Sequence, residues 1–296
     1  MRPTALIPVL CCTAALILSF LCLFAGHKAG FMEDYHLLTL NTSMIGETII
    51  NETRSTDTSN PLTNLLNSIS NTGSEIVNDA IGEVTQSLGI EDFYSAHMLN
   101  YCEGQYTPAE AANATASQDE ITKNVTECSK SRAMYKFDPT QIVEDALNRA
   151  GVDVTLDDLN WPEDIDTGIK TLNALMAAMF VLYCIAIGLI FVSLFAAAAA
   201  VLLSGRLSAC VNFLVSMLAF LAIGLASALV TAVIVKASQI INDKGNDIGL
   251  QAKWGGKFLA LTWAATGLML VVVLTWVVEF CIGRRHSKQQ VYGKHG

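Results

Sequence analysis

TLNALMAAMFVLYCIAIGLIFVSLFAAAAAVLLSGRLSACVNFLVSMLAFLAIGLASALVTAVIV, residues 171–235, contains one charged residue, Arg206. A helix needs about 20 apolar residues to cross the hydrocarbon of a bilayer. The stretch therefore holds two crossings, Thr171 to Gly205 and Leu207 to Val235, joined by only Ser204-Gly205-Arg206. So short a turn makes them a tight antiparallel hairpin. Each span has roughly 30 residues and, at about 1.5 Å per residue, exceeds the hydrocarbon thickness. Their excess is expected on the side away from the turn.

Two further charge-free blocks, Pro3 to Gly26 and Phe258 to Val278, bring the spans to four. The first is longer than the usual signal-peptide core of about 7–15 residues and lacks a clear small-x-small cleavage site. It reads as a retained span, although a cleaved signal delivers residue 30 onward to the same side. Positive charge sets the orientation: Arg2, Arg206 and the tail residues Arg284, Arg285, Lys288 and Lys294 mark the cytoplasmic pieces. The segment His27–Lys170 carries 24 acidic and 8 basic residues, a net of −16 within a chain of net −9, and reads as exoplasmic. The resulting map is residues 1–4 cytoplasmic, 5–26 span one, 27–170 exoplasmic domain, 171–203 span two, 204–206 cytoplasmic turn, 207–236 span three, 237–256 exoplasmic loop, 257–282 span four and 283–296 cytoplasmic tail.

All four N-x-S/T triplets considered, at Asn41, Asn51, Asn113 and Asn124, fall in the exoplasmic segment and are glycosylation candidates. Of eight cysteines, six lie in or at the ends of the spans, where a thiol behaves as a small hydrophobe. Cys102 and Cys128 alone occupy the oxidising compartment, which allows one intramolecular pairing. The alternative is two free thiols or intermolecular bridges. Cys281 beside the basic juxtamembrane residues is a lipidation candidate.

Within the segment, DYHLLTLNTS reads as a strand, and the apolar spacing from Leu62 to Leu88 as an amphipathic helix interrupted near Gly73. Glu91–Tyr101 and Ser131–Phe137 are rich enough in Phe, Tyr and Met to be short strands. Asp138-Pro139 opens a helix as N-cap and first residue, running through Ile142, Val143, Ala146 and Leu147 to Gly151. The six acids of residues 153–166 lack the glycine of a calcium loop and read as a solvated approach to the membrane. The loop Ser238–Gly256 is short and almost neutral. In the spans, Ala222 with Ala226, Gly224 with Ala228 and the run Ala196–Ala200 permit close helix approach, while Trp254, Trp263 and Trp276 resemble interfacial belt residues. Glu279 is expected to pair with Arg284 and Arg285.

No ionisable residue lies at mid-depth in a span, which argues against a charge-lined ion pathway. The five histidines show no zinc spacing, and neither a nucleophile elbow nor a phosphate-binding glycine loop is present. No catalytic residue, metal site or cofactor is therefore assigned, and the sparse basic tail gives no case for nucleic acid.

The combination Tyr101-Cys102-Glu103-Gly104, Cys128-Ser129-Lys130 and Phe137-Asp138-Pro139, set between a first span and three more, resembles the fungal claudin-like four-span family of eisosome-associated plasma-membrane proteins and the pH-response regulator PalI. The resemblance implies a claudin-like four-helix bundle with a disulfide-braced exoplasmic α+β domain between spans one and two. It also implies a non-enzymatic plasma-membrane protein of static membrane domains, associated with sphingolipid content, endocytosis and cell-wall integrity. Its expected partners are membrane lipids, other proteins of such domains, cell-wall components and further copies in a lateral assembly. Members commonly approach the first cysteine through a Gly-Leu-Trp-like sequence, where this chain has Ala96-His97-Met98-Leu99-Asn100. The PalI branch usually has a long tail, so the roughly 14 residues after Ile282 point to the eisosome branch over PalI-type pH signalling.

Overall fold

The computed structural model describes residues 3–45, 88–107, 122–150, 155–156, 164–202, 206–245 and 249–292. Four helices carry the apolar blocks: α1 (Leu6–Phe24), α3 (Asp164–Leu202), α4 (Arg206–Gly245) and α5 (Gly256–Tyr292). Each is long and apolar enough to cross a membrane. Leucines that a water-soluble protein would bury stand on their surfaces, Leu10 at 70% and Leu207 at 79% exposure among them. Such extensive apolar exposure is stable only against lipid. α3 and α4 have 39 and 40 residues and so run for about 60 Å, twice the hydrocarbon thickness.

The chain divides into two compact units. One comprises Met1–Phe24, Ala178–Thr231 and Lys257–Gly296 and holds the apolar helical lengths. Here hydroxyls replace charges as polar contacts between helices. The hydroxyl of Tyr183 on α3 bonds that of Thr262 on α5, and Ser227 on α4 bonds Thr262 at 2.7 Å and Thr266 at 2.9 Å. A second group links Ser193 on α3 to Ser216 on α4 at 2.8 Å, with Cys12 of α1 3.6 Å from Ser193. All of these hydroxyl-bearing residues are buried, so each bond replaces an unsatisfied polar group in an apolar medium.

The other unit comprises Ala25–Ala177 and Ala232–Gly256. Its five-stranded antiparallel sheet has the order β4-β3-β2-β1-β5, from β1 (Leu38–Asn41), β2 (Phe93–Ala96), β3 (Tyr101–Thr107), β4 (Thr122–Cys128) and β5 (Gln251–Trp254). All four residues of β2 are buried, led by Phe93 and Tyr94. Helix α2 (Pro139–Ala150) begins as its sequence requires: Asp138 Oδ1 accepts the Gln141 N–H at 3.2 Å. Its apolar stripe Ile142, Val143, Ala146 and Leu147 is buried.

Several elements differ from the sequence expectation. Residues 131–137 form no strand; their aromatics and Met134, at a positive φ of 52°, belong to an irregular loop. The region 238–256 is not a plain loop. α4 continues to Gly245, and β5 pairs with β1 from Leu38↔Trp254 to Asn41↔Gln251. Asn242 on α4 then occupies the outer edge of β5, accepting from the Ala252 N–H at 2.6 Å and donating to its carbonyl at 3.0 Å. A four-residue strand offers too weak a pattern to be read before its partner is known. Trp276 is buried and is not a belt residue, whereas Trp254 and Trp263 are about half exposed. Ala222 and Ala226 are buried but Ala228 is exposed, so the Gly224–Ala228 pair does not form a packed face. Glu279 accepts a hydrogen bond from the Thr4 hydroxyl, and the side chains of Arg284 and Arg285 lie outside the described residues. So do the 62–87 helix, most of the acidic stretch, Asn51 and Asn113.

Ser227 is the hub of the hydroxyl network, also donating to the Ile223 carbonyl at 2.8 Å. Ser227→Ala is expected to cost about 0.6–2 kcal/mol, the range of buried hydrogen bonds between membrane helices. Cys184→Ala, on an exposed face, should cost nothing measurable. Reversible unfolding in mixed micelles distinguishes the two.

Candidate functional site

Cys102 and Cys128 face each other directly across β3 and β4 and are joined in a disulfide that closes a 26-residue separation. One residue further on the ladder slips: Glu103 pairs with Glu127 but Gly104 pairs with Val125, so Thr126 is the extra residue of a bulge. Thr126 turns its hydroxyl back to the Glu103 carbonyl at 3.1 Å. Bulge and bridge together fix both the register and the twist of this strand pair.

Each residue of the Tyr-Cys-Glu-Gly motif has a packing task here. The ring of Tyr101 lies 6.2 Å from Tyr94 and 6.3 Å from Tyr135, forming an aromatic row. Cys102 is fully buried. The Glu103 side chain, 7% exposed, pairs with Arg149 Nη1 of α2 at 3.4 Å. Gly104 is required by contact: a Cβ there would lie 2.1 Å from the Asn124 carbonyl oxygen and 2.8 Å from the Val125 Cα, both backbone atoms that cannot rotate away. The second motif continues the ladder. Ser129 N–H donates to the Tyr101 carbonyl at 2.8 Å, and Ser129 Oγ accepts from the Tyr101 N–H at 3.1 Å. Lys130 is exposed, Phe137 and Pro139 are buried, and Asp138 caps α2.

The sequence HMLN, residues 97–100, stands where a Gly-Leu-Trp-like approach is common, and it forms the turn between β2 and β3. All four residues are buried. A buried turn needs its polar backbone satisfied. His97 N–H donates to the Asn100 carbonyl and Arg132 N–H to the Leu99 carbonyl, each at 2.8 Å. Asn100 Nδ2 donates to the Gly26 carbonyl at 2.9 Å and to the Ser129 carbonyl at 3.2 Å. Asn100 thereby ties the residues just after α1 to the end of the disulfide ladder. The His97 ring lies against Gly26, where a Cβ would come within 2.3 Å of it and where φ is +67°. Burial pushes the His97 imidazole down from its ordinary 6.5 to about 3, with His36, 6.4 Å away, adding to the effect. The Tyr35 backbone acts in the opposite direction and offsets the shift only in part. The sequence marks residues 96–100 only as a departure from the Gly-Leu-Trp-like approach; the packing of His97 and Asn100 depends on Gly26, some 70 residues earlier in the chain.

On the face of the sheet that also carries Ser95, His97 and Cys102, Lys123 of β4 reaches Thr39 of β1 at 3.0 Å and stands 5.1 Å from the centre of the Phe93 ring. Glu91 and Asp92 at the start of β2 have raised carboxyl values, chiefly through burial, with Glu103 adding to the effect at Glu91. No group of three or more His, Cys, Asp or Glu side chains able to hold a metal occurs among the described residues. The arrangement is a mechanical brace: one bridge, one bulge, one ion pair and one buried turn. Cys281 is exposed on α5.

A family model described as the SUR7/PalI family matches residues 4–275, taking in the first three spans, most of the fourth and the whole sheet. No curated protein and no solved structure matches the chain.

Gly104→Ala is expected to destabilise the sheet unit by about 1–3 kcal/mol through overpacking against backbone. An unchanged unfolding midpoint in the full-length chain would refute the assignment. His97 gives a pH dependence of definite sign. Its imidazole takes up a proton more readily in the unfolded chain, near 6.5, than in the folded one, near 3. Stability is therefore lost as pH falls below 6.5, by roughly 2 kcal/mol between pH 7 and pH 5. Glu91 and Asp92, with raised folded values, shift stability the opposite way on acidification. Comparing wild type with His97→Gln isolates the histidine, and the variant should show a shallower loss over that window.

Proposed function

Because the chain belongs to the SUR7/PalI family, we propose that it is a non-enzymatic plasma-membrane protein that organises eisosome-type membrane domains, with both termini cytoplasmic. The single observation that carries this reading is the extent of the family match, which spans both the membrane helices and the disulfide-braced unit. The packing supports it. Every residue of the two cysteine motifs except exposed Lys130 has a role in holding the sheet together, and the hydroxyl network joins helices.

The mechanism has two parts. Lipid-facing helices pack laterally with other copies, with partner proteins and with particular lipids, which links the protein to sphingolipid distribution and endocytosis. The braced unit projects toward the cell wall of a fungal cell and makes protein or glycan contacts there, which links it to wall integrity. Its own glycan belongs on Asn124, which is exposed on the edge strand β4. There a glycan also blocks edge-to-edge pairing with another sheet. Asn41 is a poorer acceptor, since Oδ1 accepts from the Ser43 N–H at 3.0 Å and the Ser43 hydroxyl at 2.8 Å, and Thr42 and Ser43 are buried.

A fluorescently tagged chain should form stationary patches coincident with an eisosome marker, with recovery after bleaching much slower than for a freely diffusing membrane protein. Even distribution and rapid recovery would sink the proposal. Altered growth at alkaline pH on deletion, with patches absent, would favour PalI-type signalling. Treatment with peptide N-glycosidase should show one fewer glycan for Asn124→Gln and no change for Asn41→Gln.

A further inference from the structure

The loop after Cys128 and the first turns of α2 enclose an open cleft of about 550 Å³. That size suits a small-molecule ligand, for which pockets run from about 300 to 1,000 Å³. Three cations line it, Lys130, Arg132 and Lys136. The exoplasmic segment has only eight basic residues and a net of −16, yet three of the eight fall within these seven positions. All three are exposed, and none makes an ion pair with another described residue. Most other basic side chains described in this unit are committed elsewhere, Arg149 to Glu103 and Lys123 to Thr39.

The loop that displays them is anchored. Ser129 and Arg132 donate their N–H groups to the carbonyls of Tyr101 and Leu99, the Ser131 hydroxyl reaches the His27 carbonyl at 3.2 Å, and Phe137 is buried at the far end. Tyr101 and Tyr135 supply an aromatic wall. Their rings are 6.3 Å apart and inclined by 35°, too close to admit a third ring between them, so they present one continuous face. Opposite in chemistry are Asp138, Gln141 and Asp145 of the α2 side. Carboxylates accept hydrogen bonds from hydroxyls and repel a second anionic group.

These three features select one class of ligand. Unpaired guanidinium and ammonium groups bind a phosphate. An aromatic face takes the C–H side of a saturated ring, and acceptors beside it take hydroxyls. Two acids in the same cleft disfavour a polyanion. We propose that the cleft binds a phosphorylated sugar, with its phosphate among Lys130, Arg132 and Lys136 and its hydroxyl-bearing ring on the Tyr101–Tyr135 wall. The source is either a soluble or wall-borne saccharide or the headgroup of a lipid, which present the same chemistry. This site does not depend on the domain-organising role.

The probe is glucose 6-phosphate, titrated calorimetrically into the full-length chain in phosphatidylcholine nanodiscs, with glucose and inorganic phosphate as comparisons. Saturable binding at least about tenfold tighter than either comparison is expected, because phosphate and ring are both recognised. Arg132→Ala with Lys136→Ala should weaken it about tenfold or more, the loss of one to two charge-assisted hydrogen bonds. Both positions are exposed, and intact Cys102–Cys128 bridging in the variant verifies the fold. Absence of saturable binding, equal binding of inorganic phosphate alone, or an unaltered isotherm in the double variant overturns the proposal. Repeating the titration in nanodiscs containing phosphatidylinositol assigns the source. Competition identifies a lipid headgroup and an unshifted isotherm a saccharide outside the membrane, and either result upholds the site.

Discussion

The pairing of Cys102 with Cys128 across β3 and β4 is the constraint on which the exoplasmic unit depends. Its strands have only four to seven residues, and three of the five have four. Strands so short contribute few ladder bonds each and little apolar surface, so register must come from elsewhere. The bridge supplies it at one point, and in the chain-entropy account closing a loop of about 26 residues stabilises by about 3 kcal/mol. Two residues on, Gly104 admits the β4 backbone at the bulge, and from there the register passes through β2 and β1 to β5. β5 comes from the loop between the third and fourth spans, so its pairing with β1 joins segments more than 200 residues apart in sequence, Leu38 with Trp254 through Asn41 with Gln251.

Two solvents shape the chain by different rules. In the helices, apolar residues face outward and the interior takes hydroxyls and small side chains, because lipid removes the hydrophobic drive for helix association and leaves hydrogen bonds and close packing. In the sheet unit the usual inward burial returns, with Phe93, Tyr94 and Phe137 fully enclosed. Polar groups are buried there too, and three of them hold neighbouring elements together. Asn100 donates to the carbonyls of Gly26 and Ser129, Glu103 holds α2 through Arg149, and Asn242 closes a sheet edge that would otherwise be open to another strand.

Much of this could be read from residue order, and the part that could not has a common cause. The spans, the strand at Leu38–Asn41, the Asp138 cap and the cysteine pair are signalled by local composition or spacing. β5 and the His97–Asn100 turn are not, because a four-residue strand and a buried polar turn acquire meaning only from partners far away in the chain. The aromatic content of residues 131–137 misled in the opposite direction. Its tyrosine and phenylalanine serve a cleft wall and a core plug, and aromatic enrichment alone does not distinguish those uses from a strand. Serine and threonine inside a span carry no charge to mark them, although their hydroxyls supply the polar contacts between these helices.

The most direct test of the brace is hydrogen exchange of the full-length chain with the Cys102–Cys128 bridge oxidised and reduced. If the bridge sets the stability of the whole sheet, reduction lowers protection at β1, β2 and β5 together with β3 and β4, by about two decades for a loss of about 3 kcal/mol. A loss confined to β3 and β4, with β1, β2 and β5 unchanged, would contradict the account and make the bridge a local clasp.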